Sequence, residues 1–345
     1  MRATNGEGYV TTHIDIIGTG RFGLTLAYIL SHNDDVAIRM VARSPAIVDE
    51  INSSHTVSAR IPITFSGNIE GVLLNEATAA DASHIIVAVP AQYTRDQLRS
   101  AYFSGLSDKT HLLHVVKGIE PAYNGHVSGN TMSQVIEVEL GRTPAVLSGA
   151  NLAHEILQGQ EAGAVLAGRS LNGWQDLFTI QNKFYVSTSP DIIGVELAGT
   201  YKNVIALALG MVYGWNEQKE YGSANNLMGD TLSKGFRELE ELGRQYQANR
   251  ETFTGPAGIG DIVATGYSTG SRNFEVGRQR VRGIPLAEIL TNLQEGNRGV
   301  PEGPHTVKVL NEIHGEDLPF NSMVGQILAD GPVSHEQIQK LYHPL

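Results

Sequence analysis

Ile14-Asp15-Ile16-Ile17-Gly18-Thr19-Gly20-Arg21-Phe22-Gly23 decides how this chain reads. A β-branched run ends at a glycine, three glycines follow at the spacing G-x-G-x-x-G, and apolar residues then recur at helical intervals at Phe22, Leu26, Ile29 and Leu30. The pattern is strand, tight turn, helix. In such a turn the first glycine permits the bend, the second lets backbone approach a pyrophosphate, and the third lets helix and strand pack closely. The helix N-terminus then faces the phosphates with its unsatisfied N–H groups. A bare glycine match is weak, but this one lies between a strand and a helix and is followed by a second strand, Val36 to Val41. Gly18, Gly20 and Gly23, with Arg21 and Phe22 between them, are therefore assigned to a dinucleotide cofactor.

The second strand ends in Met40-Val41-Ala42-Arg43. An acidic residue usually stands there to bind the ribose 2′-hydroxyl of NAD. Arg43 suits stacking on adenine or pairing with the 2′-phosphate of NADP, and equally suits a solvated surface. NAD or NADP is left open. Further apolar runs at His84 to Val89, His111 to Val116, Ala145 to Leu147 and Phe184 to Ser187 alternate with helix-length segments, including Pro45 to Asn52. That alternation is the mark of a parallel α/β sheet. After about Pro190 long helical patterns take over, at Ile192 to Met211 and Asn226 to Leu242. The expected fold is α/β: an N-terminal Rossmann-type, mostly parallel sheet domain over 14–190, then an all-α C-terminal domain over 191–345. Residues 1–13 are expected to form a flexible lead, without the basic and apolar regions of a signal peptide.

With 345 residues the chain has room for two domains. Its formal net charge of −11 argues against nucleic acid or an anionic membrane surface as partner, because the global field repels both. The absence of cysteine excludes disulfides, thiolate catalysis and Cys-based metal sites. The twelve histidines show no H-E-x-x-H or similar ligand spacing, so no metal site is expected. Asn203 to Trp215 is the most apolar stretch, and its length fits a buried helix better than a membrane span.

Beyond the glycine loop, Val87-Ala88-Val89-Pro90-Ala91-Gln92, Lys117-Gly118-Ile119-Glu120, Leu147-Ser148-Gly149-Ala150-Asn151-Leu152-Ala153-His154-Glu155, Gly194-Val195-Glu196-Leu197 with Lys202-Asn203-Val204, Gly258-Ile259-Gly260-Asp261 followed by Ser271-Arg272-Asn273, and Pro301-Glu302-Gly303 occur in this order through most of the chain. Together they make it resemble the NAD(P)-dependent glycerol-3-phosphate dehydrogenase family. The resemblance implies reversible hydride transfer between a nicotinamide and the central carbon of dihydroxyacetone phosphate or sn-glycerol 3-phosphate, supplying the glycerol phosphate backbone of lipids. It matches Lys202 to the catalytic lysine, Lys117 to a second pocket lysine that also meets the cofactor, and Asp261 to the pocket aspartate. Gly149, Asn151, Asn203, Thr265, Ser271, Arg272 and Asn273 match substrate-side positions. Pro90, Ala153, Arg272, Val300 and Glu302 join the glycine loop and Arg43 on the cofactor side. The resemblance further implies a small phosphorylated substrate, a cytoplasmic setting and a homodimer.

The chemistry can be argued independently. Reducing a ketone places negative charge on its oxygen, so the site needs a donor aimed there and a proton to deliver. A lysine ammonium does both, provided that burial or a cationic neighbour such as Lys117 lowers its pKa. Arg272 offers a fork for phosphate oxygens, and the amide of Asn273 adds donors. Thr265 lies one helical turn beyond Asp261 and shares its face if the segment is helical. Three departures from the family's pattern, Arg21 in the loop, Met228 in place of a lysine, and Trp215-Asn216 in a normally glycine-rich turn, bear on substrate identity and domain coupling. A dehydrogenase acting on another small phosphorylated or acidic ketone, and a dinucleotide sensor without catalysis, are the competing readings.

Overall fold

The computed structural model describes residues 12–123, 127–179, 183–219, 224–268, 270–295, 299–329 and 331–343. Eight strands form one sheet: β1 (Thr12–Ile17), β2 (Val36–Ala42), β3 (Ile69–Leu73), β4 (His84–Val87), β5 (His111–His114), β6 (Ala145–Ser148), β7 (Ala162–Ala167) and β8 (Phe184–Ser189). Their order is β3-β2-β1-β4-β5-β6-β7-β8, and every pairing is parallel except β6 with β7. The first six strands have the order of a dinucleotide-binding sheet, whose ligand lies where the winding reverses, between β1 and β4.

Alternation within each strand explains why both faces are covered. Ile14, Ile16, Ile38, Met40, Ile86 and Leu113 enter one apolar core, whereas Ile17, Val41, Ile85, Val87 and Leu112 enter the other. Around the sheet run α1 (Arg21–Leu30), α2 (Pro45–Ser54), α3 (Ala91–Leu98), α4 (Met132–Leu140), α5 (Ala153–Leu157) and α6 (Trp174–Thr179). One charge is buried among the strands, Asp15; a two-pronged pair with Arg39 at 2.7 Å on each oxygen neutralises it, and the Tyr102 hydroxyl donates to its Oδ2 at 2.5 Å.

Beyond β8 the regular elements among the described residues are helices, chiefly α7 (Ile192–Gln218), α8 (Asn225–Gln245), α9 (Arg250–Thr254), α10 (Asp261–Gly266), α11 (Arg272–Arg280), α12 (Leu286–Glu295), α13 (Gly303–His314), α14 (Pro319–Leu328) and α15 (His335–Tyr342). The apolar stretch ends at Trp215 as expected, but the helix that carries it, read as Ile192 to Met211, runs on to Gln218, and the resulting α7 is long and apolar enough to cross a membrane. Its position explains the composition instead: 94% of its most apolar window is buried, and the other helices pack around it. Its start is fixed by Asp191, whose Oδ1 accepts from the Gly194 N–H at 2.9 Å while Oδ2 accepts from the Thr252 hydroxyl at 2.6 Å.

Several boundaries differ from expectation. Thr12 and His13 belong to β1, where they pair with Val36 and Ala37, so the sheet claims the end of the expected lead, while residues 1–11 lie outside the described residues. Two strands escape sequence patterning. β3 (Ile-Glu-Gly-Val-Leu) and β7 (Ala-Gly-Ala-Val-Leu-Ala) have weak strand propensity and are held by their neighbours' ladders. Trp215 and Asn216 lie inside α7 rather than in a turn, with Trp215 stacked against His335 of α15 at 6.0 Å. Met228 is buried in the core of the helical half, so its replacement of a lysine is a change in packing.

Candidate active site

The C-terminal ends of β1, β4, β5 and β6 open onto one edge of the sheet, and the helical half closes against that edge. Lys117 arrives three residues after β5, Gly149 and Asn151 directly follow β6, and Lys202 comes from the third turn of α7. Asp261 opens α10 after a kink at Pro256–Gly260, where Gly258 leaves helical geometry at φ −94°, ψ −105°. One turn into α10, Thr265 returns to the same face.

These elements bring two ammonium groups onto one carboxylate. Lys202 Nζ donates to Asp261 Oδ1 at 2.5 Å and to Thr265 Oγ1 at 2.9 Å, and Lys117 Nζ donates to Asp261 Oδ2 at 2.8 Å. Lys117 also reaches the Gly149 carbonyl at 3.4 Å and Asn151 Oδ1 at 3.5 Å. Asp261 is 1% exposed and Lys202 6%. Burial pushes the Lys202 pKa down and Lys117 pushes it further, while Asp261 pulls it up, and the net result is about 7. Burial alone would raise the Asp261 pKa, but the two lysines outweigh it and hold the carboxyl below its ordinary range. The site thus carries a fixed anion and a lysine able to give or take a proton near neutrality.

Beside this cluster, α11 crosses α7 at contact distance. A Cβ on Gly210 would lie 1.9 Å from the Phe274 carbonyl oxygen, and one on Gly277 would lie 2.0 Å from that of Leu207, so glycine at both positions is a steric requirement of the crossing. The crossing seats Asn273 over Asn203, with Asn273 Nδ2 donating to Asn203 Oδ1 at 2.9 Å and Asn273 Oδ1 accepting from the Gly303 N–H at 2.9 Å. Arg272, the first residue of α11, donates to the Val300 carbonyl at 3.1 Å. A guanidinium at a helix N-terminus is suited to an anionic group such as phosphate.

The steric surroundings of the three glycines follow the pattern of a dinucleotide-binding turn. Gly18 has φ +114°, and a Cβ there would meet the Ala88 carbonyl oxygen at 2.7 Å; a Cβ on Gly23 would meet Gly18's own carbonyl oxygen at 2.5 Å. Packing therefore demands the first and third glycines. A Cβ on Gly20 would meet nothing within 4 Å, so the second borders open space where α1 begins without a side-chain cap or an acidic first turn. Open backbone at an uncapped helix N-terminus is the setting that suits a pyrophosphate. Asn151 Nδ2 and Gln92 Oε1 are buried polar atoms without a hydrogen-bond partner, one beside the lysine cluster and one two residues past Pro90.

Comparison with known proteins agrees with this geometry. Residues 13–172 match the family model for the N-terminus of NAD-dependent glycerol-3-phosphate dehydrogenase, and residues 191–339 match the model for its C-terminus. The chain belongs to the NAD-dependent glycerol-3-phosphate dehydrogenase family. It is 33% identical over 339 residues to the glycerol-3-phosphate dehydrogenase [NAD(P)+] of Bacillus licheniformis, covering 96% of this chain and 94% of that one. It is 32% identical over 327 residues to the protein of the same name from Bacillus cytotoxicus, covering 93% and 92%. The fold matches the crystal structure of glycerol-3-phosphate dehydrogenase from Coxiella burnetii with a TM-score of 0.80 at 24% identity, covering 96% of this chain and 98% of that one.

Within this family member, the residues expected at the site fall into three groups. Lys117, Gly149, Asn151, Lys202, Asp261 and Thr265 share one hydrogen-bonded cluster. Arg272, Asn273, Asn203 and Val300 form the second, although both ends of the Asn273 amide are engaged with protein, so that it positions α11 while the Arg272 guanidinium donates to the Val300 carbonyl. The hydroxyl of Ser271 caps α11 by accepting from the Phe274 N–H at 3.3 Å, a structural use of that side chain. The third group lies along the cofactor edge: Gly18, Gly20, Arg21, Phe22, Gly23, Arg43, Pro90 as N-cap of α3, and Ala153 opening α5. Glu302 bridges the groups. It comes from the helical half, its Oε2 lies 3.9 Å from where a Cβ on Gly118 would stand, and burial lifts its pKa to about 7 against the opposing effect of Arg272.

Two residues were missed by sequence reading. Arg60 donates to the Thr19 carbonyl and, at 3.0 Å, to the Thr19 hydroxyl of the glycine loop, and the Tyr93 ring supports the Arg43 guanidinium at 5.6 Å. Arg60 lies in an irregular segment after α2, where no periodicity gives it a face.

Among the described residues, no three His, Asp or Glu side chains gather in a way that could hold a metal ion.

Proposed function

We propose that this chain catalyses the reversible NAD(P)-dependent reduction of dihydroxyacetone phosphate to sn-glycerol 3-phosphate, with Lys202 exchanging the proton. The observation that carries the reading is Lys202 itself: buried, aimed by Asp261 and Thr265, and with a pKa near neutrality. A reduced nicotinamide, when bound, supplies the hydride. The chain's own residues do the rest. Lys202 donates a hydrogen bond to the ketone oxygen, stabilises the charge that develops there, and transfers one proton to make the alcohol; in the reverse direction neutral Lys202 takes that proton. Asp261 keeps the ammonium oriented, and Lys117 adds positive potential on the same side.

Arg272 at the start of α11 binds the phosphate in this reading, fixing the distance from the phosphate to the reacting carbon. Gly149 and Asn151 line the substrate side, and Asn203 and Asn273 hold that wall through their mutual hydrogen bond. Glu302 and Val300 close the nicotinamide end. A cytoplasmic setting and a homodimer belong to the same proposal, supported by family membership and checked by cell fractionation and by sedimentation of the purified chain.

A panel of small ketones tests the substrate and the lysine together. With NADH and NADPH in parallel, nicotinamide oxidation should follow addition of dihydroxyacetone phosphate far faster than addition of unphosphorylated dihydroxyacetone. Lys202→Ala should lower that rate by about 10²- to 10⁴-fold while still binding the dinucleotide. Equal turnover of the two ketones, or an unimpaired Lys202→Ala enzyme, would overturn the assignment.

A further inference from the structure

The edge of the sheet opposite the catalytic one holds a cavity that hydride transfer does not use. β5 and β6 run in parallel toward the catalytic edge, where Lys117 follows one and Gly149 the other, so His111 at the start of β5 and Ala145 at the start of β6 mark the far edge. β7 is antiparallel to β6, with Ala167 opposite Val146, and it therefore delivers Arg169 and Ser170 to that far edge. The antiparallel pairing thus brings the turn after β7 beside the segments that lead into β5 and β6.

These three segments enclose a cavity of about 550 Å³, whose lining includes Asp108, Lys109, His111, Arg142, Arg169 and Trp174. Small-molecule sites commonly occupy about 300–1,000 Å³. Three of these side chains are cationic and one is anionic. Among the described residues, none of Asp108, Lys109, Arg142 and Arg169 belongs to an ion pair. Glu137, outside the lining, accepts from the Thr143 hydroxyl at 2.9 Å.

Arg142 is half-buried and fixed in place, with Nη1 donating to the Ser107 carbonyl at 2.8 Å and Nη2 to the Thr110 carbonyl at 2.7 Å. Two carbonyls orient the guanidinium but bring no counter-charge, and withdrawing an unpaired cation from water is unfavourable. In a chain of net charge −11, this local excess of positive charge runs against the global field. Behind the charges stand aromatic rings. His84 stacks on His111 with centroids 4.7 Å apart, and Trp174 meets His84 edge-on at 4.8 Å. Burial and then His111 push the His84 pKa down to about 4, so His84 adds no charge at neutral pH. A Cβ on Gly173 would lie 2.9 Å from His84 Nε2 and 3.4 Å from His111 Nε2, so a side chain there would crowd both rings.

We propose that this far-edge cavity binds the phosphate monoester of a small metabolite, with Arg142 and Arg169 as its anion-binding residues, at a site separate from the hydride-transfer centre. A phosphate monoester carries about −1.5 to −2 at neutral pH, which balances three cations set against one carboxylate. The guanidinium fork is shaped for phosphate oxygens, and Lys109 adds a point charge. The volume exceeds what phosphate alone fills, leaving space beside His111 and Trp174 for the organic part of the ester.

Calorimetric titration of the intact chain tests this, with NADH saturating so that the dinucleotide site is filled, and with Arg272→Ala as the background so that the phosphate contact proposed for α11 is absent. The probes are inorganic phosphate, ribose 5-phosphate and 5′-AMP, which separate bare anion, sugar phosphate and nucleotide. At least one ester should bind at a single saturable site, more tightly than inorganic phosphate. Adding Arg142→Ala or Arg169→Ala should weaken that site at least ~10-fold, the loss of a hydrogen bond to a charged group. Absence of saturable ester binding, an affinity unchanged by both substitutions, or esters bound no better than inorganic phosphate would overturn the inference and leave an anion-attracting surface only. If Arg142→Ala fails to fold, the exposed Arg169 decides through Arg169→Glu: weakened ester binding supports the site, and unchanged binding overturns it. Failure of the ketone assignment would look different, as absent turnover while this binding persists.

Discussion

Asp261→Asn removes one charge and almost no volume from between Lys117 and Lys202, so its effect on the pH dependence of turnover can be worked out. In the native site Asp261 is the group that raises the Lys202 pKa, against burial and Lys117, to about 7. An opposite charge at this range is worth about 1–3 pH units, or roughly 1.4–4 kcal/mol. Ketone reduction uses protonated Lys202, so kcat/KM in that direction falls as pH rises through this pKa; oxidation uses neutral Lys202 and rises through it. With aspartate, about half of Lys202 is protonated at pH 7. With asparagine the limb moves to acid by about 1–3 pH units, leaving about 10% to 0.1% protonated and lowering reduction at pH 7 about 5- to 500-fold. The loss should be recovered on acidification, and oxidation at pH 7 should be spared by comparison. The assay is the pH profile of kcat/KM for both directions, which reports groups of the free enzyme. A limb that stays in place, or moves to alkaline pH, would refute Asp261 as the counter-ion that sets the lysine's proton affinity.

Two further substitutions probe the substrate wall and the joint between the halves. Arg272→Ala should raise KM for dihydroxyacetone phosphate about 10- to 150-fold, the cost of about 1.5–3 kcal/mol for a hydrogen bond to a charged group, and should abolish competition by inorganic phosphate; an unchanged KM would contradict a phosphate role for α11. Glu196 of α7 is buried and accepts from the Ser133 N–H at 2.7 Å and the Ser133 hydroxyl at 2.5 Å at the start of α4, with His114 Nε2 at 3.2 Å. Glu196→Ala should destabilise the fold by roughly 2–4 kcal/mol, because it strands buried donors; a denaturant midpoint equal to wild type would show that water or a neighbour satisfies them.

Much of the fold could be read from the sequence because its signals were local. The run Ile14 to Gly23 carries strand, turn and helix in adjacent residues, and the apolar monotony of α7 announces a buried helix. β3 and β7 carried no such signal, since their place depends on the hydrogen-bond ladders of neighbours distant in sequence. The site divides in the same way. Resemblance placed Lys202 and Asp261, but nothing in the spacing of Lys117, Lys202 and Asp261 could reveal that both lysines hold one carboxylate, because that contact spans 144 residues in one case and 59 in the other. Met228 illustrates the converse: a departure that looked chemical in the sequence belongs to the core. Arg60 was invisible for a similar reason, since its partner is a backbone carbonyl 41 residues away.

The central claim is that this chain converts dihydroxyacetone phosphate into sn-glycerol 3-phosphate at the Lys202 site. Its most direct test is a product measurement with the purified chain, following oxidised nicotinamide and sn-glycerol 3-phosphate in the same reaction. The account predicts that the two appear in equal amounts, and that both disappear together in Lys202→Ala. Dinucleotide binding without sn-glycerol 3-phosphate, or nicotinamide oxidation uncoupled from it, would contradict the account.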